Sequence, residues 1–122
     1  MKKQANRGDG LRSSVSRYAL HVLLALEQGS LHGYAIMKEV QVASGASVGP
    51  GAIYGALQRL EAAGLVREAG QGVPDRGSRP RQRYEITEAG VETLKAEARS
   101  LARLVRLAAQ RHLIVDEGLG QE

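Results

Sequence analysis

The chain contains no cysteine, tryptophan or phenylalanine, and four tyrosines are its only large aromatic side chains. The absence of cysteine excludes a disulfide framework, a Cys-type zinc site, an iron–sulfur cluster and a thiol nucleophile, and fits a reducing compartment. Without Phe or Trp the core must be aliphatic. No apolar run approaches the ~18 residues that a membrane-spanning helix needs, so no membrane partner is expected. The polar stretch from Met1 to Gly10 lacks the hydrophobic segment of a secretory signal. A cytoplasmic location is the expectation.

What is present is ordinary in amount and uneven in placement. A length of 122 residues allows one small domain plus an additional helix. Lysine and arginine number 17 against 13 acids, a formal net charge of +4, and a basic balance favours a polyanionic partner. The positive charge lies in three blocks of +4 each, over residues 1–17, 76–83 and 99–111. The segments between and after them are net acidic. Position therefore matters more than the total.

Residues 1–12 have no hydrophobic period and are expected to be a disordered basic arm, and residues 116–122 are expected to be a flexible tail. Val15, Ala19, Val22, Leu23 and Leu26 share one helical face, with Ser13 or Ser14 as N-cap and Gly29 as stop, which predicts a helix near 14–28. Ile36, Met37 and Val40 predict a second, shorter helix after Gly33. A third starts at Pro50, a residue suited to a first turn, buries Ile53, Ala56, Leu57 and Leu60, and ends at Gly64. Residues 65–68 and 83–86 are extended runs on either side of a Gly-, Pro- and Arg-rich stretch, a hairpin with a basic tip. Thr87 is a good N-cap, with Glu88 in the first turn, for a proline-free helix reaching about Val115.

This last helix carries an a/d-type seam, Val91, Leu94, Ala98, Leu101, Val105 and Ala108, broadened by Leu104 and Leu107. At about 28 residues it would be ~42 Å long, too long for a three-helix core to cover. These seam residues are the candidate dimer interface of a homodimer. The outline is a mainly α fold with a small β-hairpin: a winged helix-turn-helix domain over residues 13–86 and a C-terminal dimerisation helix over residues 87–115. In such domains the third helix enters the major groove of double-stranded DNA while the wing reaches phosphates or the minor groove.

Three stretches make the outline more specific. Val48-Gly49-Pro50-Gly51-Ala52-Ile53-Tyr54-Gly55-Ala56-Leu57-Gln58-Arg59-Leu60-Glu61-Ala62-Ala63-Gly64-Leu65-Val66 resembles the recognition-helix signature of the PadR family of bacterial transcriptional regulators. Leu31-His32-Gly33-Tyr34-Ala35-Ile36 is similar to that family's second-helix Gly-Tyr motif. Arg79-Pro80-Arg81-Gln82-Arg83-Tyr84-Glu85-Ile86-Thr87-Glu88-Ala89-Gly90 resembles its wing and the following Thr-x-x-Gly turn. Together they span roughly residues 15–110, and the single C-terminal helix resembles the shorter subfamily, in which it builds the homodimer. The resemblance implies a transcriptional repressor on a pseudo-palindromic operator, released by a small-molecule effector. The family's multidrug-responsive members stack flat ligands on a tryptophan of the dimer helix; this chain has none, so that mode is not carried over.

The candidate DNA contacts are Pro50, Gly51, Ala52, Tyr54, Gly55 and Gln58 on the third helix and Arg76, Ser78, Arg79, Arg81 and Arg83 on the wing. Ala52 and Gly55 stand where the family frequently has Ser or Thr and Pro. The resemblance gives Tyr54 a backbone contact, and its spacing independently sets it opposite the apolar stripe; capping of the small core is the alternative. Gln58, one turn on, can reach an adenine edge or stay solvated. The four tip arginines crowd like charge onto one hairpin, which a polyanion relieves, whereas Tyr84 on the other face belongs to the core. Arg99, Arg103, Arg106 and Arg111 scatter around the last helix and are expected to solubilise it or to pair with acids such as Glu88, Glu92 and Glu97, in the same or the partner chain. Lys2, Lys3, Arg7 and Arg12 fit a floppy arm better than a minor-groove arm.

No chemistry-bearing cluster emerges. His21, His32 and His112 are too dispersed for a metal motif, and His112 with Asp116 fits a frayed helix end. Gly49-x-Gly51 lacks the strand and further residues of a nucleotide loop. No nucleophile, base and oxyanion site assemble, so no enzyme, cofactor or metal is expected. The alternative to the regulator is a winged helix serving as a protein-interaction or structural module.

Overall fold

The computed structural model describes residues 17–71 and 81–115. The basic arm, the N-cap serines 13 and 14, Arg76, Ser78, Arg79 and the tail 116–122 lie outside the described residues. Helix α1 spans Arg17–Leu26, β1 Leu31–His32, α2 Gly33–Ser44, α3 Pro50–Ala62, β2 Val66–Gln71, β3 Gln82–Ile86 and α4 Glu88–Gln110.

The three short helices exist because each has an apolar stripe to hide. Ala19, Val22, Leu23 and Leu26 of α1, Ile36 and Val40 of α2, and Ile53, Ala56, Leu57 and Leu60 of α3 are buried in one cluster, closed by Val48 and Val66. Complete burial of a Leu or Ile side chain contributes about 1.5–3 kcal/mol, so this aliphatic cluster carries the domain without a large aromatic in it. The turn between α2 and α3 is fixed from both ends: the Gln41 side-chain amide donates to the Val48 carbonyl at 2.8 Å, and Val48 plugs the core beneath it. Helix α3 ends in a Schellman-type turn, with Gly64 in the left-handed region at φ +79° and Leu65 N–H donating back to the Leu60 carbonyl at 2.9 Å.

The wing is three-stranded. Its order is β1-β3-β2 and both pairings are antiparallel, Leu31 opposite Tyr84 on one side of β3 and Val66 opposite Ile86 on the other. Sequence pattern predicts only the hairpin, because β1 is two residues long and its partner strand is remote in the chain. The β2–β3 register is irregular between Glu68 and Gln71. Arg67 and Glu85, directly opposite each other, form an ion pair at 2.6 Å; on this exposed surface it is worth about 1 kcal/mol or less.

Helix α4 is anchored at one end only. Thr87 caps it, accepting from Gly90 N–H at 3.0 Å while its hydroxyl donates to the Gly64 carbonyl at 2.7 Å. Gly90 is the helix's one buried residue among those described, and a Cβ there would collide with the Leu65 carbonyl and the Ile86 side chain. The helix is shorter than its sequence predicts. It stops at Gln110 rather than near Val115, because His112 takes φ +62° and Leu113 N–H turns back to the Ala108 carbonyl at 2.8 Å, a Schellman turn with histidine where glycine is usual. Its 23 residues extend ~34 Å.

Candidate nucleic-acid interface

Helix α3 turns its stripe inward and leaves the opposite face bare. Pro50, Gly51, Ala52, Tyr54 and Gln58 are all exposed, and Gly55 is half-buried. Gly49 caps the helix without a side-chain bond, and its first turn holds no acid. The amides at this end therefore meet solvent with the positive end of the helix dipole behind them, an arrangement that suits a phosphate. Tyr54 lies across the start of α2, its hydroxyl end against Gly33, where a Cβ would overlap the ring. That tyrosine is 47% exposed, so it packs at the rim of the core rather than inside it.

The two described wing arginines differ in their engagements. Arg83 is held: its guanidinium donates to the Ser30 carbonyl at 2.6 Å and to the Ser30 hydroxyl at 3.1 Å. It ties β3 to the turn before β1, which sequence spacing could not reveal. Arg81 is exposed and sits at the α2 end of the wing, Nη1 3.4 Å from His32 Nε2, and no carboxylate pairs with it among the described residues. His32 itself caps α2, its Nδ1 accepting from Ala35 N–H at 3.2 Å. Tyr34 and Lys38, one helical turn apart on α2, stack with the ammonium 5.7 Å from the ring centre. His32 and the Tyr34–Lys38 pair are absent from the set expected from sequence; the signals were an N-cap position and an i,i+4 spacing.

Tyr84 is half-buried against the core, as expected. Burial pushes its hydroxyl above the usual tyrosine value, and Tyr54 with the Glu61 and Glu68 carboxylates pushes the same way. It stays a neutral side chain under the sheet.

The seam of α4 divides. Leu94 packs on the chain's own core and Val91 is half-buried, whereas Leu101, Leu104 and Leu107 are 46%, 61% and 48% exposed, with Ala98 exposed and Val105 and Ala108 half-buried. The intrachain pairing considered for the helix arginines is not seen: Lys95 with Glu92 at 3.8 Å is the one ion pair within α4 among the described residues. Elsewhere, a cleft of about 530 Å³ opens between α1 and α2, lined by residues including His21, Leu24, Glu27, Leu31 and Glu39. No cluster of metal-ligating side chains is found among the described residues, and no described helix is long and apolar enough to cross a membrane.

A helix-turn-helix whose second helix shows a bare face, flanked by a hairpin bearing arginine, defines a winged-helix protein of the DNA-binding kind. The chain belongs to the transcriptional regulator PadR-like family, whose sequence model matches residues 22–96. It is 37% identical over 95 residues to Transcriptional regulator Rv3488 of Mycobacterium tuberculosis, covering 76% of this chain and 85% of that one. It is 50% identical over 84 residues to an uncharacterised 37.1 kDa protein in a Streptomyces fradiae transposon, covering 68% of this chain but only 22% of that protein's length. Among solved structures it resembles Bacillus subtilis PadR, crystallised in complex with operator DNA, at a TM-score of 0.59 and 20% identity, over 69% of this chain and 48% of that one. The matched region is accordingly that of a PadR-like transcriptional regulator.

Proposed function

We propose that two copies of the chain pair through α4 and bind a pseudo-palindromic operator as a repressor. Each copy lays α3 in the major groove, with half-sites about one helical turn, ~34 Å, apart. The carrying observation is the outer face of α3, where Pro50, Gly51, Ala52, Tyr54 and Gln58 are exposed and the first turn is free of acid. Residues 13–86 serve as the DNA-binding domain. Gln58 is placed for a base edge; Tyr54, the α3 amides, Arg81 and the tip residues Arg76, Ser78 and Arg79 take phosphates. Arg83 contributes by fixing the wing against Ser30. Operator DNA bound to the Bacillus subtilis relative supports this reading.

Pairing through α4 is supported by the exposed leucines 101, 104 and 107, which one chain alone leaves in water. The repressor assignment rests on the family. A small-molecule effector acts in this scheme by favouring one separation of the two α3 helices over another, which requires different affinity for the two states. The test is the salt dependence of binding to an operator obtained by selection. With 6–8 phosphate contacts the log–log slope is about −5 to −7; a slope near zero would sink the proposal.

A further inference from the structure

The cleft between α1 and α2 combines three features that no other part of the described surface brings together. Its volume of about 530 Å³ is that of a small-molecule site. Leu24 and Leu31 give it apolar surface, and Leu24 is 54% exposed, the only leucine of the described body left so open. Glu27, just past the end of α1, and Glu39 of α2 line the same space, and no lysine or arginine does. Neither carboxylate has an ion pair among the described residues. Acids beside a leucine surface favour an organic cation and reject an anion. The third feature is mechanical. Ser30 and Leu31, which also line the cleft, are the residues that hold the wing: Ser30 accepts from the Arg83 guanidinium at its carbonyl and its hydroxyl, and Leu31 pairs with Tyr84 of β3.

We propose that this cleft is an effector site for a small amphipathic cation of the alkylammonium class, and that its occupancy loosens the wing through Ser30. The inference rests on the effector-controlled reading above and adds to it a ligand class, a site within one chain and a route to the DNA-binding surface. The alkyl body lies on Leu24 and Leu31, and the ammonium is neutralised by Glu27 and Glu39. Held there, the ammonium is a second cationic donor beside the Ser30 oxygens, competing with Arg83 for them and repelling it. Ligand and strapped wing therefore disfavour each other, which is the differential affinity that effector control requires. The coupling is reciprocal: operator DNA, by holding the wing in place, weakens the ligand by the same factor.

The test titrates the full chain with octylammonium, and with octanoate as the anion of equal chain length, by calorimetry and thermal melting. Octylammonium should bind and raise the melting temperature, and octanoate should do neither. The Glu27→Gln Glu39→Gln protein, altered only at exposed positions, should keep its own melting curve and bind octylammonium about tenfold more weakly. Saturating octylammonium should then lower affinity for a selected operator about fivefold or more, read by fluorescence anisotropy. In Arg83→Met, which has no strap to loosen, octylammonium should still bind and leave operator affinity where it was. No binding of octylammonium, equal binding of octanoate, or full binding by the double Gln protein would overturn the site. Binding only to single chains and not to the dimer would overturn it as well, by showing that a second copy fills the cleft. An operator affinity indifferent to bound octylammonium, or equally lowered in Arg83→Met, would overturn the route through Ser30. All of these outcomes leave operator binding itself intact, whereas failure to select any operator would overturn the regulator reading and not the ligand titration.

Discussion

The body of residues 17–86 and helix α4 draw on the same aliphatic residues and use them in opposite ways. In the body, Val22, Leu23, Ile36, Val40 and Ile53 lose all contact with water. In α4, the buried residue among those described is Gly90, while Leu101, Leu104 and Leu107 stand about half exposed. The body is a finished core; the helix leaves its leucines uncovered. The join between them is narrow: Thr87 and Gly90 seat the first turn on the Gly64–Leu65 turn, and Leu94 completes the contact. Beyond that point the hydrophobic effect acts on α4 only through a second surface, and a self-complementary leucine seam on a two-fold axis is the simplest one available.

Substitutions on the two sides of the join should separate these roles. Ile53→Ala should cost about 2–5 kcal/mol in urea unfolding, whereas Leu107→Ala, measured where the protein is monomeric, should change stability by about 0.5 kcal/mol or less. Equal costs would mean that the helix is buried within its own chain. Gly90→Ala drives a methyl into the Leu65 carbonyl and should destabilise by about 1–3 kcal/mol, the expected signature of a tight join. Thr87→Ala removes the cap and should cost about 1 kcal/mol, read as a lower melting temperature with the helix retained. The smallest effect concerns Tyr84. Its folded pKa is raised above the ordinary tyrosine value of 10.0, so the folded state holds the proton more tightly than the unfolded chain. Stability is therefore fully present below pH 10.0 and falls as pH rises through the raised folded value; Tyr84→Phe should remove that alkaline component, and an unaltered pH profile would contradict it.

The helices were legible in the sequence because their information is local. Stripes at 3.6-residue spacing placed the buried faces of α1, α2 and α3, and Pro50 and Gly64 marked the ends of α3 where they lie. What escaped depends on distance or on atypical backbone. Strand β1 exists only because Tyr84 and Arg83 lie beside Leu31 and His32, and a two-residue strand has no pattern of its own. The premature end of α4 turns on a left-handed histidine, His112, where sequence rules look for glycine. In the wing, charge located the cluster but not the engagements: Arg81 and Arg83 are alike in sequence, yet Ser30 holds only the latter. Likewise, the heptad spacing could not tell that Leu94 faces the chain's own core and Leu104 faces outward.

Selection of binding sites from random duplexes, followed by sedimentation of the protein with the enriched sequence, decides whether α4 joins two DNA-reading bodies. Two chains per duplex on a two-fold sequence with half-sites about one helical turn apart are predicted. Replacing both Leu104 and Leu107 by Asp should leave single chains that no longer hold the full site. No enriched two-fold sequence, or one chain of the unsubstituted protein per duplex, would contradict pairing through the exposed face of α4.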